Sequence, residues 1–209
     1  GEEAPFMQNV TGTPVSEANP HYLRFTAKAA GQGFANKAYD GIRLEKDHTY
    51  RVSFYARCVA YEGDTFQIKV IKDGQVFAEA AVNAVKPVPY TFDVPGIAEF
   101  DLISMIPEDA VAGIFRKDLF EALQAIKPGF VRFPGGCIVE GISLDNRYYW
   151  KNTVGDVKDR RYIPNLWAFD DDWSKNDPMT KRPDAHYGQS FGLGFYEYFL
   201  LCELLDAKP

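Results

Sequence analysis

At about residue 107 the apolar residues of this 209-residue chain change period. Before that point they alternate. In "TYRVSFYARC", Tyr50, Val52, Phe54, Ala56 and Cys58 face one side, while Arg51, Ser53, Tyr55 and Arg57 face the other. Such alternation marks a half-buried antiparallel strand. "TFQIKVIKDGQVFAEAAV" repeats the pattern with Phe66, Ile68 and Val70, and its Asp73-Gly74 pair is a two-residue hairpin signal. "HYLRFTA" and "AEFDLISMI" also read as strands. Several short strands joined by turns argue for a β-sandwich over residues 1–106.

After residue 107 the spacing becomes helical. "RKDLFEALQAIKPG" sets Leu119, Phe120, Leu123 and Ile126 on one face, and Pro128-Gly129 ends the helix. "FVRF" reads as a short buried strand. A polar loop from about 134 to 190 follows, far longer than ordinary connections and of the kind that carries function. "GLGFYEYFLLCELLDAKP" then predicts a second helix, with Phe195, Phe199, Cys202 and Leu205 on one face. Helix, strand, loop, helix is a piece of an α/β fold, and in α/β barrels the loops after strands build the active site.

The net charge of −6 disfavours nucleic acid as a partner. No apolar run of about 18 residues is present, so no membrane span is expected. Cys58, Cys137 and Cys202 lie far apart, and His21, His48 and His186 form no ligand spacing, so neither a disulfide framework nor a transition-metal site is indicated. Asp170, Asp171 and Asp172 form an acidic run without the glycine and terminal glutamate of a calcium loop. "GEEAPF" lacks the basic start and apolar core of a signal peptide.

The segment "FVRFPGGCIVEG", residues 130–141, sits where the strand should end. Pro134 fixes φ and ends ladder pairing. Gly135 and Gly136 permit a backbone path that side chains would block. Arg132 could aim donors into a cleft and so suit a hydroxyl-rich ligand. Taken alone, these residues fit a tight turn beside a structural arginine more simply. Tyr39, Tyr55 and Tyr61 could stack on sugars or pack on a neighbouring layer.

"KPGFVRFPGGCIVEG", "YYWKNTVGDVKDR" and "FGLGFYEYFLLCELLDAKP" together resemble the α-L-arabinofuranosidases of glycoside hydrolase family 51, of the plant, fungal and gut-bacterial type. "NPHYLRFTA", "GFANKAYDGIRLE" and "TYRVSFYARC" look like the carbohydrate-binding-module-like β-sandwich of those enzymes, and "FDLISMIPED" like the strand leading back to their barrel. The resemblance implies a jelly-roll-like sandwich over 1–106. It implies part of a (β/α)₈ barrel over 107–209: helix 1, strand 2, a long loop and helix 2.

The implied activity is retaining hydrolysis of terminal α-L-arabinofuranosyl units in arabinan or arabinoxylan. Two carboxylates about 5–5.5 Å apart carry that reaction, and no cofactor or metal is needed. Arg132, Cys137, Trp150 and Asn152 would line the arabinose subsite, with Pro134, Gly135 and Gly136 shaping it. Cys137 could equally be a small buried filler, and Trp150 an anchor for the loop.

The family's catalytic glutamates lie on later strands, the acid/base following an asparagine. This chain contains no Asn-Glu dipeptide. Glu140 matches a non-catalytic position, and one carboxylate cannot fill both roles. No catalytic residue is therefore assigned here, and the chain by itself is expected to be inactive. The stretch between Val82 and Phe100 is short for a complete sandwich, so the chain reads as part of a longer polypeptide. Its partner would be an arabinose-containing plant polysaccharide or oligosaccharide. An isolated barrel piece would expose apolar faces, so a homo-oligomer or swapped dimer is expected if the chain stands alone. Polymer substrates favour the periplasm or exterior, with intracellular action on imported oligosaccharides as the alternative. A non-catalytic, polysaccharide-binding sandwich with a barrel remnant is the competing reading.

Overall fold

The computed structural model describes residues 5–35, 44–45, 47–60, 65–72, 75–83, 95–141, 144, 147–165 and 188–209. These divide into two compact units. One comprises Gly1–Val15 and Pro20–Lys117; the other comprises Ser16–Asn19 and Asp118–Pro209.

The first unit is built of antiparallel strands. β1 (Phe6–Val10), β2 (Tyr22–Ala27), β6 (Gly96–Pro107) and β3 (Tyr50–Ala60) lie side by side in that order. β4 (Thr65–Lys72) and β5 (Gln75–Asn83) pair separately. The hairpin signal is matched by that pairing, while Asp73 and Gly74 themselves lie outside the described residues. The alternation in β3 has the expected consequence: Phe54 is buried while Ser53, Tyr55 and Arg57 are exposed. Phe54 joins Phe25, Ala27, Ala98 and Phe100 in the core of the sheet's apolar face, with Phe34, Val52 and Ala56 packed against them. Ring centroids of Phe34 lie 5.4 Å from Phe25 and 5.3 Å from Phe100. Each buried ring contributes about 1.5–3 kcal/mol of transfer free energy, which fixes the sheet's register. β1 is an additional edge strand; only five residues long and mostly exposed, it carries too weak a pattern to be read from sequence.

β6 is not regular. Ser53 pairs with Ser104 and Tyr55 with Asp101, so β6 spends one residue more than β3 over this step. Leu102 takes up the excess at φ +49°, and its N–H bonds to the Asp101 carboxylate at 2.8 Å. A bulge of this kind re-aims side chains locally.

In the second unit, α1 (Lys117–Ile126) ends where Lys127 turns to φ +52°, ahead of Pro128-Gly129. Of its four expected apolar positions only Phe120 is buried; Leu119, Leu123 and Ile126 are exposed. "FVRF" is a correction. It is not a buried strand: Phe130 is 69% exposed and forms one isolated parallel bridge, to Lys208. Val131 N–H donates to Lys208 O at 2.8 Å, and Lys208 N–H to Gly129 O at 3.1 Å. Among the described residues it has this one paired edge, which is too little to bury a strand or to extend the ladder.

The long loop contains local order: α2 (Cys137–Glu140), 3₁₀ turns at Trp150–Thr153 and Val157–Asp159, and a short pair of β7 (Ile163–Pro164) with β8 (Gly188–Gln189). Asp170, Asp171 and Asp172 lie outside the described residues. α3 (Phe195–Leu204) follows, with Cys202 buried, Leu205 buried just beyond its end, and Tyr196 and Phe199 exposed. No helix among the described residues is long and apolar enough to cross a membrane.

Candidate functional site

Of the sequence-marked residues, Trp150 reaches the start of α3 directly, and Arg132 is tied to it through its neighbour Phe133. Phe133, next to Arg132, stacks on Tyr198 with centroids 4.7 Å apart, and meets Phe195 at 5.4 Å and Phe199 at 5.6 Å. Trp150 lies 6.0 Å from the same Phe195 ring, and Tyr148 5.9 Å. Phe195 is thus the common neighbour that joins Phe133 to the "WKNT" turn.

Arg132 itself is exposed. Pro134 is half-buried, and the turn behind it places Gly136 at φ +54°, a conformation that favours glycine. Gly135 differs from expectation. Its φ is not in the left-handed region, and a Cβ there would meet open space, so nothing in the described backbone requires glycine. Cys137 begins α2, and its side chain lies outside the described residues. Trp150 is 48% exposed, with the Lys151 ammonium 5.8 Å from its ring centroid. Asn152 is half-buried, its N–H bonded to Tyr149 O at 2.9 Å as part of the turn. Glu140 is exposed.

The residues that hold this arrangement were not marked by sequence. Thr153, fully buried, donates its hydroxyl to Trp150 O at 2.8 Å and accepts the Phe195 N–H at 3.0 Å. Gly194 is required here by contact, since a Cβ would collide with the Thr153 carbonyl. Arg160, 3% exposed, reaches Glu197 through two bonds of 2.9 and 2.8 Å. It also donates to Phe191 O at 2.8 Å and Gly155 O at 2.8 Å. Glu197 closes the set by accepting the Gly194 N–H at 2.7 Å, the reciprocal half of a helix cap. Burial pushes the Glu197 carboxyl up, but the Arg160 and backbone hydrogen bonds outweigh it and hold it below the ordinary range. Asn19 adds a tie from far away in sequence. Its amide donates to Lys158 O at 2.9 Å and Arg160 O at 2.7 Å, and its carbonyl accepts the Tyr162 N–H at 2.9 Å. The glutamate three residues after Gly194 was the one legible hint of this network.

The result is a hydrogen-bonded collar against which the half-exposed Trp150 indole packs, with the exposed Arg132 next in sequence to Phe133 on the α3 rings. Such an arrangement can hold a polar ligand. Among the described residues there is no group of three or more His, Cys, Asp or Glu side chains able to hold a metal ion.

Residues 122–209, which include this collar, match the family model described as the α-L-arabinofuranosidase 1 domain. The whole chain is similar to an extracellular exo-α-L-arabinofuranosidase of Streptomyces chartreusis, 30% identical over 93% of this chain and 25% of that protein. It is also similar to α-L-arabinofuranosidase 1 of Arabidopsis thaliana, 30% identical over 87% of this chain and 28% of that one. Residues 122–209 thus carry the α-L-arabinofuranosidase 1 domain match, and the chain is similar to α-L-arabinofuranosidases over most of its length. Its backbone also matches that of a solved arabinose-bound MgGH51 α-L-arabinofuranosidase at a TM-score of 0.76. That likeness has 21% identity over 99% of this chain and 36% of the other, and speaks to the fold. The chain spans about a quarter of the length of these two relatives.

Proposed function

We propose that this chain is the sugar-holding portion of a retaining α-L-arabinofuranosidase acting on terminal arabinofuranosyl units of arabinan or arabinoxylan. The observation that carries the reading is the latched collar at the start of α3. It holds Trp150 directly and the Arg132 segment through the neighbouring Phe133 ring. In this reading residues 1–106 are a carbohydrate-binding-module-like β-sandwich, and residues 107–209 are part of a (β/α)₈ barrel. The parallel bridge of Phe130 to Lys208, with α3 lying between them in sequence, supports the barrel assignment.

Arg132 would fix the sugar and neighbouring carboxylates. Cys137 and Asn152 would contact hydroxyls, Trp150 would wall the subsite, and Pro134 and Gly136 would shape the turn. No nucleophile or acid/base is assigned among these residues: hydrolysis with retention needs a carboxylate pair, and the chain has no Asn-Glu dipeptide to supply the acid/base. The exposed apolar positions of α1 and α3 support coverage by further protein, and sedimentation would register a second copy as that cover. An extracellular setting accords with the name of the Streptomyces relative.

The test is nitrophenol release from an aryl α-L-arabinofuranoside. The 209-residue chain alone should give no turnover above background. In the complete enzyme, Arg132→Ala should reduce kcat/KM by about 100-fold or more, the scale of losing a positioned charged contact. Full activity in that variant would remove the reading.

A further inference from the structure

The sheet of the first unit has a second face, and its composition is unlike a face that merely meets solvent. β3 and β6 pair Tyr55 with Asp101 and Arg57 with Glu99, and β2 sets Arg24 beside the same Glu99. These residues share the face opposite the phenylalanine core. Glu99 is 3% exposed, and both its oxygens are taken. Oε1 accepts Arg24 Nε at 2.9 Å and Nη2 at 2.6 Å; Oε2 accepts Arg57 Nε at 2.8 Å and also Arg57 Nη2. The carboxylate therefore sets two guanidinium planes rather than facing solvent.

Beside them lies a cavity of about 230 Å³, lined by Thr13, Val15, Tyr22, Tyr55, Arg57 and Asp101 among others. Tyr55 is 47% exposed. Asp101 stands opposite it because of the Leu102 bulge, and one of its oxygens is spent on the Leu102 N–H. Burial holds the Asp101 carboxyl above its ordinary range. A non-glycine residue at positive φ costs stability, and such outliers cluster at ligand-handling positions.

We propose that this face is a carbohydrate-binding site for a short neutral saccharide. Tyr55 is the stacking platform, and Arg57 and Asp101 are the paired donor and acceptor for vicinal hydroxyls. The chemistry selects this class. Two arginines against two carboxylates leave no net charge for an ion to answer. An aromatic ring flanked by a donor and an acceptor matches a sugar ring, with its apolar face and hydroxyl rim. The cavity is smaller than the roughly 300–1,000 Å³ of sites that enclose drug-sized ligands, so it takes a short sugar segment with the remainder outside. The overall charge of −6 opposes phosphate-bearing ligands. The site rests on the reading of residues 1–106 as a carbohydrate-binding-module-like sandwich, and none of its residues belongs to the collar around α3.

The test is calorimetric titration of the 209-residue chain with α-1,5-arabinotriose, xylotriose and cellotriose in turn. At least one should bind saturably. Tyr55→Ala should weaken it about tenfold, Tyr55→Trp should retain it, and the isosteric Asp101→Asn should weaken it several-fold. Tyr55 lies off the core, and circular dichroism confirms that each variant is folded. Arg132→Ala should leave this binding unchanged, which separates the site from the arabinose subsite proposed above. Three results each overturn the proposal: no heat with any of the sugars, binding that survives both Tyr55→Ala and Asp101→Asn, or binding lost in Arg132→Ala.

Discussion

Glu99 in the first unit and Glu197 in the second are both buried carboxylates held by arginine. Glu99 is shared between Arg24 and Arg57, whose side chains are 37% and 47% exposed. Glu197 takes Arg160, which is as buried as itself and spends its other donors on two backbone carbonyls. One carboxylate thus orders cations that still reach solvent; the other belongs to a sealed knot. The difference teaches how to separate a scaffold from a surface poised for a partner. A buried ion pair whose every group is satisfied internally has nothing left to offer a ligand. One whose cations remain half-exposed does.

The contrast breaks most visibly at the knot. Glu197→Gln or Arg160→Met should destabilise the second unit by about 3–5 kcal/mol, because the surviving partner is left charged and buried. Denaturant unfolding followed by tryptophan fluorescence, with all three tryptophans in the second unit, would show it, and a loss near zero would mean that the knot is not sealed. Glu99→Gln should cost less, about 1–3 kcal/mol, since water can solvate Arg24 and Arg57 once they are released. An equal loss at the two sites would erase the distinction.

Acid sharpens it further with a smaller effect. Burial raises both carboxyls, but hydrogen bonds from arginine outweigh it and leave both below the ordinary 4.5. Their folded forms bind protons less readily than the unfolded chain does. Their stabilisation is therefore complete above about pH 4.5 and is lost as pH falls through the lower folded values. Asp101 runs the other way: raised by burial, it costs stability as pH climbs past its ordinary 3.8. Acid titration of the Glu99→Gln, Glu197→Gln double variant should flatten the low-pH loss. An unchanged profile would place the titration elsewhere.

Much of the sheet was legible because β3 alternates strictly and carries Phe54 on one side. Helices α1 and α3 were legible through their 3.6-residue spacing and the Pro128-Gly129 stop. What could not be read is what depends on distant pairing. Arg160 and Glu197 lie 37 residues apart, and no local pattern announces that a guanidinium will fill a helix cap. The bulge at Leu102 leaves no mark, because leucine gives no sign of a left-handed backbone. "FVRF" has strand composition, but composition does not supply a second neighbour, and Phe130 stays exposed. At the turn, proline and glycine signalled a break correctly. The structure assigns the conformational need to Gly136 and not to Gly135.

Ser16–Asn19 belongs to the second unit although the segments on both sides of it in sequence belong to the first. The acceptor of Asn19 on Arg160 is 141 residues further along. At ribosomal rates of roughly 5–20 residues per second, about 7–30 s pass between the synthesis of Asn19 and that of its partner. The early strands can form in that interval, but the hook must wait. Anything that captures Ser16–Asn19 meanwhile would let the first unit mature and strand the second.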